Sequence, residues 1–164
     1  MTRRKKLNAF RWLEQRNISY QAYEFDDTLH SAQEVAETLN IPPAQIFKTL
    51  VVMSSEQKPM LVLVSAQCAL DLKKLAATLG QKKVQMASHD EAESLTGLQT
   101  GGISALALTA KNWPIYLDES ATTFEEIFMS AGRRGINVRL SRQAFIDAFD
   151  VEIVDCCSPL EDDF

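Results

Sequence analysis

The sequence predicts a single α+β domain in which helices pack around a mixed, mostly antiparallel sheet. Three observations predict it. The chain has 164 residues, 46% of them hydrophobic, which suits one domain with a substantial core. Apolar runs of strand length occur in pairs that need tight turns between them. Helix-length segments with their own start and stop residues are scattered among those pairs. They do not alternate regularly with strands, which argues against a doubly wound parallel sheet.

In chain order, residues 5–16 set Leu7, Phe10, Trp12 and Leu13 at helical spacing, and "ISYQAYEF" then alternates as a strand does. "HSAQEVAETLN" offers a capping box, Ser31 answered by Glu34, and a helix ending near Asn40. "IPP" breaks the periodicity, and residues 46–66 read as a hairpin around the polar "SSEQKP". "LDLKKLAATLG" starts a helix at Asp71 and stops it at Gly80. "KKVQMA" is a short strand, and "SHDEAESLTG" a helix with Ser88 and Glu91 as its capping box. The glycine pair in "LQTGGISALALTA" opens onto an expected strand, and "WPIYLDES", "EEIFMSA" and "INVRL" follow as strands, with "GRRG" as a turn. "SRQAFIDAF" makes a last helix and "VEIV" a last strand. The reading divides the chain into a basic extension over 1–6, a folded body over 7–155 and an acidic tail over 156–164.

A formal charge of −5 argues against non-specific duplex DNA binding, which rests on lysines and arginines meeting phosphates. Local basic pairs are still present: Lys73 with Lys74, Lys82 with Lys83, and Arg133 with Arg134. Neither a signal peptide nor a membrane span is expected, since no stretch is apolar enough for either. Cys68, Cys156 and Cys157 lack paired spacing, which fits a reduced, cytoplasmic setting. The two histidines, His30 and His89, begin no metal-ligand pattern, so neither a metal nor a cofactor is expected.

Two features raise a question of chemistry. Within "AQIFKTLVVM" a single ammonium, Lys48, shares its strand face with Ile46, Leu50 and Val52. Burying it unpaired would cost several kcal/mol or more, on the order of what isolated buried charges cost, so something must offset it. It either snorkels to water, guards a sheet edge, or faces a cleft and meets an anion such as phosphate. The second feature is "TGGIS", residues 100–104, where Gly101 and Gly102 let the backbone approach a ligand and aim its amides outward, with Ile103 and Ser104 completing the loop. No GxSxG elbow or cysteine–histidine pairing supports a triad hydrolase.

"HSAQEVAETLNIPPAQIFKTLVV", "LDLKKLAATLGQKKVQMA", "LTGLQTGGISAL" and "IFMSAGRRGINVRL" resemble, in order and spacing, the YbaK family, free-standing relatives of the editing domain inserted in bacterial prolyl-tRNA synthetases. The resemblance spans roughly residues 7–155. It implies a central sheet curled into a partial barrel, and hydrolysis of a mischarged aminoacyl-tRNA ester, with cysteine on tRNA for proline as the substrate of the most similar branch. Lys48 matches the family's essential lysine, and Gly101 the first glycine of its GxxxP loop. Tyr23, Thr49, Ser130 and Asn137 fall at positions resembling pocket residues, and His30 at the pocket rim. The branch implies that the substrate's own thiol attacks the ester, so no protein nucleophile is needed. The implied partners are the aminoacylated tRNA acceptor end and prolyl-tRNA synthetase. Two departures stand out: Ala105 replaces the loop proline, and Asn137 replaces an aspartate of close relatives. They leave open a binding module that holds the acceptor end or a synthetase without turnover. A third alternative is a small-molecule reaction with Lys48 as base or imine former.

Overall fold

The computed structural model describes residues 7–29 and 31–160, so the basic segment 1–6, His30 and the last four residues of the expected tail lie outside the described residues. Five α-helices are described: α1 (Asn8–Gln15), α2 (Ala32–Thr38), α3 (Leu72–Leu79), α4 (His89–Thr96) and α5 (Arg142–Phe149). The strands are β1 (Tyr20–Glu24), β2 (Ile46–Met53), β3 (Pro59–Ser65), β4 (Cys68–Leu70), β5 (Gln85–Met86), β6 (Ile115–Asp118), β7 (Glu126–Ser130), β8 (Ile136–Ser141), β9 (Glu152–Val154) and β10 (Cys157–Pro159).

The helix starts follow the side chains that cap them. Ser31, Asp71, Ser88 and Ser141 each accept a hydrogen bond from the amide three residues on, and Ser88 with Glu91 closes the full reciprocal box. Gly80 ends α3 in the left-handed region at φ +66, where a glycine carries no Cβ penalty.

The main sheet runs β1-β8-β7-β2-β3-β6-β9, with β5 pairing onto β2, and it does not close. It is mixed. The hairpin predicted over 46–66 is present, with Lys48 opposite Val64 in the β2–β3 ladder, while β7 joins β2 and β6 joins β3 in parallel. Strand β2 sits at the centre and is buried on both faces, which is why its sequence is a near-continuous apolar run. Its odd positions, Phe47, Val51 and Met53, join the largest core with Leu13 of α1 and Phe145 and Phe149 of α5. On the opposite face Val52 packs with Leu75 and Ala76 of α3, and Ile46 with Val35 and Ala36 of α2. Half-buried Lys48 lies on that face between the two smaller cores, at the seam where neither fills the space.

Two segments differ from expectation. The run after the glycine pair is not a strand: it forms short 3-10 turns at Ala105–Ala107 and Thr109–Lys111. The Ser104 hydroxyl accepts from the Leu106 amide at 3.1 Å and caps the first turn, and Leu106 and Leu108 reach the core without alternating. The second difference is a small separate ribbon, β10 paired antiparallel with β4, which brings Cys157–Pro159 of the expected tail against residues 68–70. Among the described residues, no helix is long and apolar enough to cross a membrane.

Candidate functional site

The seam beside Lys48 opens into a cavity of about 420 Å³, within the usual range of small-molecule sites. Strand β2 supplies one wall, from Ile46 through Val51, and α2 contributes Ser31, Ala32 and Val35. Thr100, Gly101 and Ile103 form the wall on the glycine side, and Ser130, Arg134, Gly135 and Asn137 come from the β7–β8 hairpin. Lys48 and Gly101, far apart in sequence, therefore face one space. No carboxylate of the described residues makes an ion pair with Lys48. The ionisable side chains lining the cavity are Lys48, His89 and Arg134, and no aspartate or glutamate of the described residues lines it.

The glycine loop is held from both sides. Glu93 of α4 accepts the Thr100 amide at 2.7 Å, and those hydrogen bonds hold its carboxyl below the usual value of 4.5. The Arg134 Nε donates to the Thr100 carbonyl at 2.6 Å. Gly101 has φ +90, a conformation suited to glycine, and a methyl there would meet the Arg134 side chain at 3.3 Å. Gly102 is more confined: a methyl would stand 2.8 Å from the Arg134 backbone nitrogen. The "GG" and "GRRG" segments thus lie backbone against backbone, a contact only glycine permits.

Two wall groups lack partners among the described residues. Thr49 Oγ1 and Asn137 Oδ1 are buried without a hydrogen bond, the two residues being 9% and 7% exposed. A buried polar atom left unpaired costs about 1–3 kcal/mol. The Ser130 hydroxyl is instead used internally, accepting the Gly132 amide at 3.2 Å.

Of the residues singled out by sequence, Lys48, Thr49, Gly101, Ile103, Ser130 and Asn137 line this cavity together. Tyr23, Gly102 and Ser104 stand off its wall. Tyr23 pairs with Asn137 across the β1–β8 ladder, but its ring packs on Phe128 at 5.5 Å and lies 5.9 Å from the Arg139 guanidinium. The Gly102 amide turns inward to the Gln99 carbonyl at 2.8 Å, and Ser104 is fully buried as a cap. Sequence reasoning did not place His89, Thr100 or Met86 on the wall. The signals for Thr100 and His89 were only proximity to the glycine pair and the start of a capped helix.

The profile of the family described as "Aminoacyl-tRNA editing domain" matches residues 26–148, a stretch that carries β2, the glycine loop and the β7–β8 hairpin. The chain belongs to this family. The editing domain is 40% identical over 144 residues to EbsC of Enterococcus faecalis, covering 86% of this chain and 87% of that protein, whose name gives it as a candidate Cys-tRNA(Pro)/Cys-tRNA(Cys) deacylase. It is also 26% identical over 144 residues to the proline–tRNA ligase of Aquifex aeolicus, covering 81% of this chain but 25% of the ligase. The fold is shared with a solved structure described as a candidate trans-editing enzyme for prolyl tRNA synthetase. That match has a TM-score of 0.79 and 24% identity, and it covers 94% of this chain and 99% of the other. A second, the hypothetical protein APE2540, matches with a TM-score of 0.85 and 20% identity over 92% of this chain and 99% of that one.

Proposed function

We propose that this editing domain hydrolyses the ester of mischarged aminoacyl-tRNA in trans, with cysteine on tRNA for proline as its substrate. The observation that carries the reading is Lys48, half-buried and without an ion pair among the described residues, on the same cavity as Gly101. An ammonium held this way awaits an anion, and the phosphates of the tRNA acceptor end supply one. The name of the EbsC relative and the family match support the substrate class.

In this scheme the acceptor end enters between β2 and the glycine loop, and Lys48 fixes a terminal phosphate. Asn137, a neutral amide on the cavity wall, is the residue proposed to face the substrate's α-amino group without adding charge. The Gly101 backbone amide is the donor proposed for the oxygen that becomes negative as the carbonyl is attacked. The cysteine thiol attacks its own ester carbonyl, the C–O bond to the ribose breaks, and the ribose oxygen takes up a proton. Water then opens the cyclic thioester. The chain supplies position and electrostatics, and specificity follows because an amino acid without the thiol lacks the nucleophile. Tyr23 and Ser104 act in this reading by supporting the wall from behind, and Ser130 by shaping the hairpin turn. His30 is proposed for the cavity rim from the family resemblance alone. Prolyl-tRNA synthetase is the proposed partner and the cytoplasm the corresponding location.

The test is deacylation of Cys-tRNA(Pro) by the purified chain. Lys48→Ala is expected to lower the rate by about 10²-fold, the scale of the loss when a substrate is misplaced in its site. Tight tRNA binding without cleavage by the parent protein would replace the enzyme with a binding module.

A further inference from the structure

Away from the cavity, the fold gathers three thiols and a carboxylate that the proposed reaction does not use. Asp118 ends β6 and is 2% exposed, and Cys156, fully buried, follows β9. Cys157 opens β10. One ligand atom from each of Asp118, Cys156 and Cys157 lies within 4.8 Å of the others. The Cys156 amide donates to Asp118 Oδ1 at 3.0 Å and its thiol to the same oxygen at 3.6 Å, while the Ser120 amide donates to Oδ2 at 3.0 Å. Cys68 stands nearby, outside that 4.8 Å set. It lies two residues from Leu70, the register partner of Cys157, on the same ladder face.

We infer that Asp118, Cys156 and Cys157 form the core of a site for a single thiophilic dication, zinc or a close analogue, with Cys68, on the same ladder face as Cys157, turning in as the fourth donor. Metal–sulfur bonds of about 2.3 Å at tetrahedral angles set neighbouring ligand atoms about 3.8 Å apart, which rotamer adjustment reaches from the observed spacing. Sulfur donors select zinc over magnesium or calcium, and a buried carboxylate already oriented by two backbone amides completes a mixed set. Cys157 and Cys68 are partly exposed, so the ion has a route from solvent through the β4–β10 ribbon. Each ligating thiol gives up its proton to solvent as the metal–sulfur bond forms. No redox partner is required. The ion would tie the outer strands β6 and β9 to the ribbon, whose neighbours Ala66 and Leu160 line the catalytic cavity.

Cobalt is the probe, since thiolate-bound tetrahedral Co²⁺ absorbs where the free ion does not. Titration of the fully reduced, metal-stripped chain is expected to give thiolate charge-transfer and tetrahedral ligand-field bands that saturate at one equivalent and are bleached by one equivalent of Zn²⁺. Cys157→Ser, at a partly exposed position, is expected to abolish saturation at one equivalent while far-ultraviolet dichroism and Cys-tRNA(Pro) deacylation stay at parent levels. Cys68→Ser is expected to alter the spectrum by replacing one sulfur. A flat titration, or bands of unchanged shape in both variants, would overturn the site. It would then be a hydrogen-bonded thiol cluster that only satisfies Asp118.

Discussion

At the scale of single residues, the two adjacent glycines answer to different constraints. Gly101 needs its glycine for φ +90, and the atom an added methyl would meet, the Arg134 Nε, is on a side chain that can move. Gly102 has no positive φ, yet the atoms it would strike at 2.8 and 2.9 Å belong to the backbone of Arg134 and Arg133. Gly101→Ala is expected to cost about 1–3 kcal/mol, the usual range for a left-handed non-glycine residue, and to lower the deacylation rate through a displaced loop. Gly102→Ala should lose more stability still, because the "GRRG" turn must separate from the loop. Thermal denaturation of the two variants ranks them, and the reverse order would contradict the backbone contact. Lys48 was legible as an anomaly from its apolar neighbours alone, but its meaning was not. Snorkelling and a cleft leave the same mark on a sequence, and only the seam between two cores separates them. Asn137 and Thr49 carried no sequence signal of their own beyond the family resemblance.

At the scale of elements, helix α4 matters because it anchors the glycine loop. Its capping box was readable in "SHDE", and the structure adds that Glu93, one turn on, holds the Thr100 amide. Those hydrogen bonds hold the Glu93 carboxyl below its usual value, so the bound form is favoured while it is ionised. The support is fully present above the ordinary value of 4.5 and is lost as pH falls through the lower folded value. Glu93→Gln is therefore expected to remove an acid-dependent loosening of the loop. Protection of the Thr100 amide, after correction for the intrinsic pH dependence of exchange, should fall in the parent as the Glu93 carboxyl protonates and stay constant in the variant. A parent loop equally protected on both sides of that titration would exclude the link. The 3-10 turns after the loop, by contrast, defeated sequence reading: "ISALAL" has strand-like apolar content, and the preference of Ser104 for its own Leu106 amide decides the outcome. The β4–β10 ribbon was missed for a similar reason, since three-residue strands carry too short a pattern to register.

At the scale of the whole molecule, the α+β class and the central hairpin were readable because β2 and β3 are long, apolar and bounded by turn residues. The order of strands was not. Parallel joins of β7 to β2 and β6 to β3 are set by packing across distant segments, which no local pattern encodes. Two of the basic residues have distinct local roles. Lys74 is engaged by Asp155 at 3.4 Å and the Cys157 carbonyl at 3.0 Å, whereas Arg134 sits at the cavity. If recognition is confined to the acceptor end held in the cavity, the isolated chain is expected to cleave cysteinyl esters of different tRNAs at similar rates. Addition of prolyl-tRNA synthetase should then restore selectivity. A single-turnover comparison of two cysteinylated tRNAs checks this, and strong discrimination by the chain alone would refute it.

The cavity wall has a charge pattern opposite to that of the molecule. A chain of formal charge −5 presents Lys48 and Arg134 on one cavity wall and no described carboxylate there. For a polyanion approaching at random, most of the surface repels and this mouth attracts, so encounters are funnelled to the productive orientation before any atom touches. Capture should then weaken as mobile ions shorten the reach of that field, while the step after capture, shielded inside the cleft, is left largely unaffected.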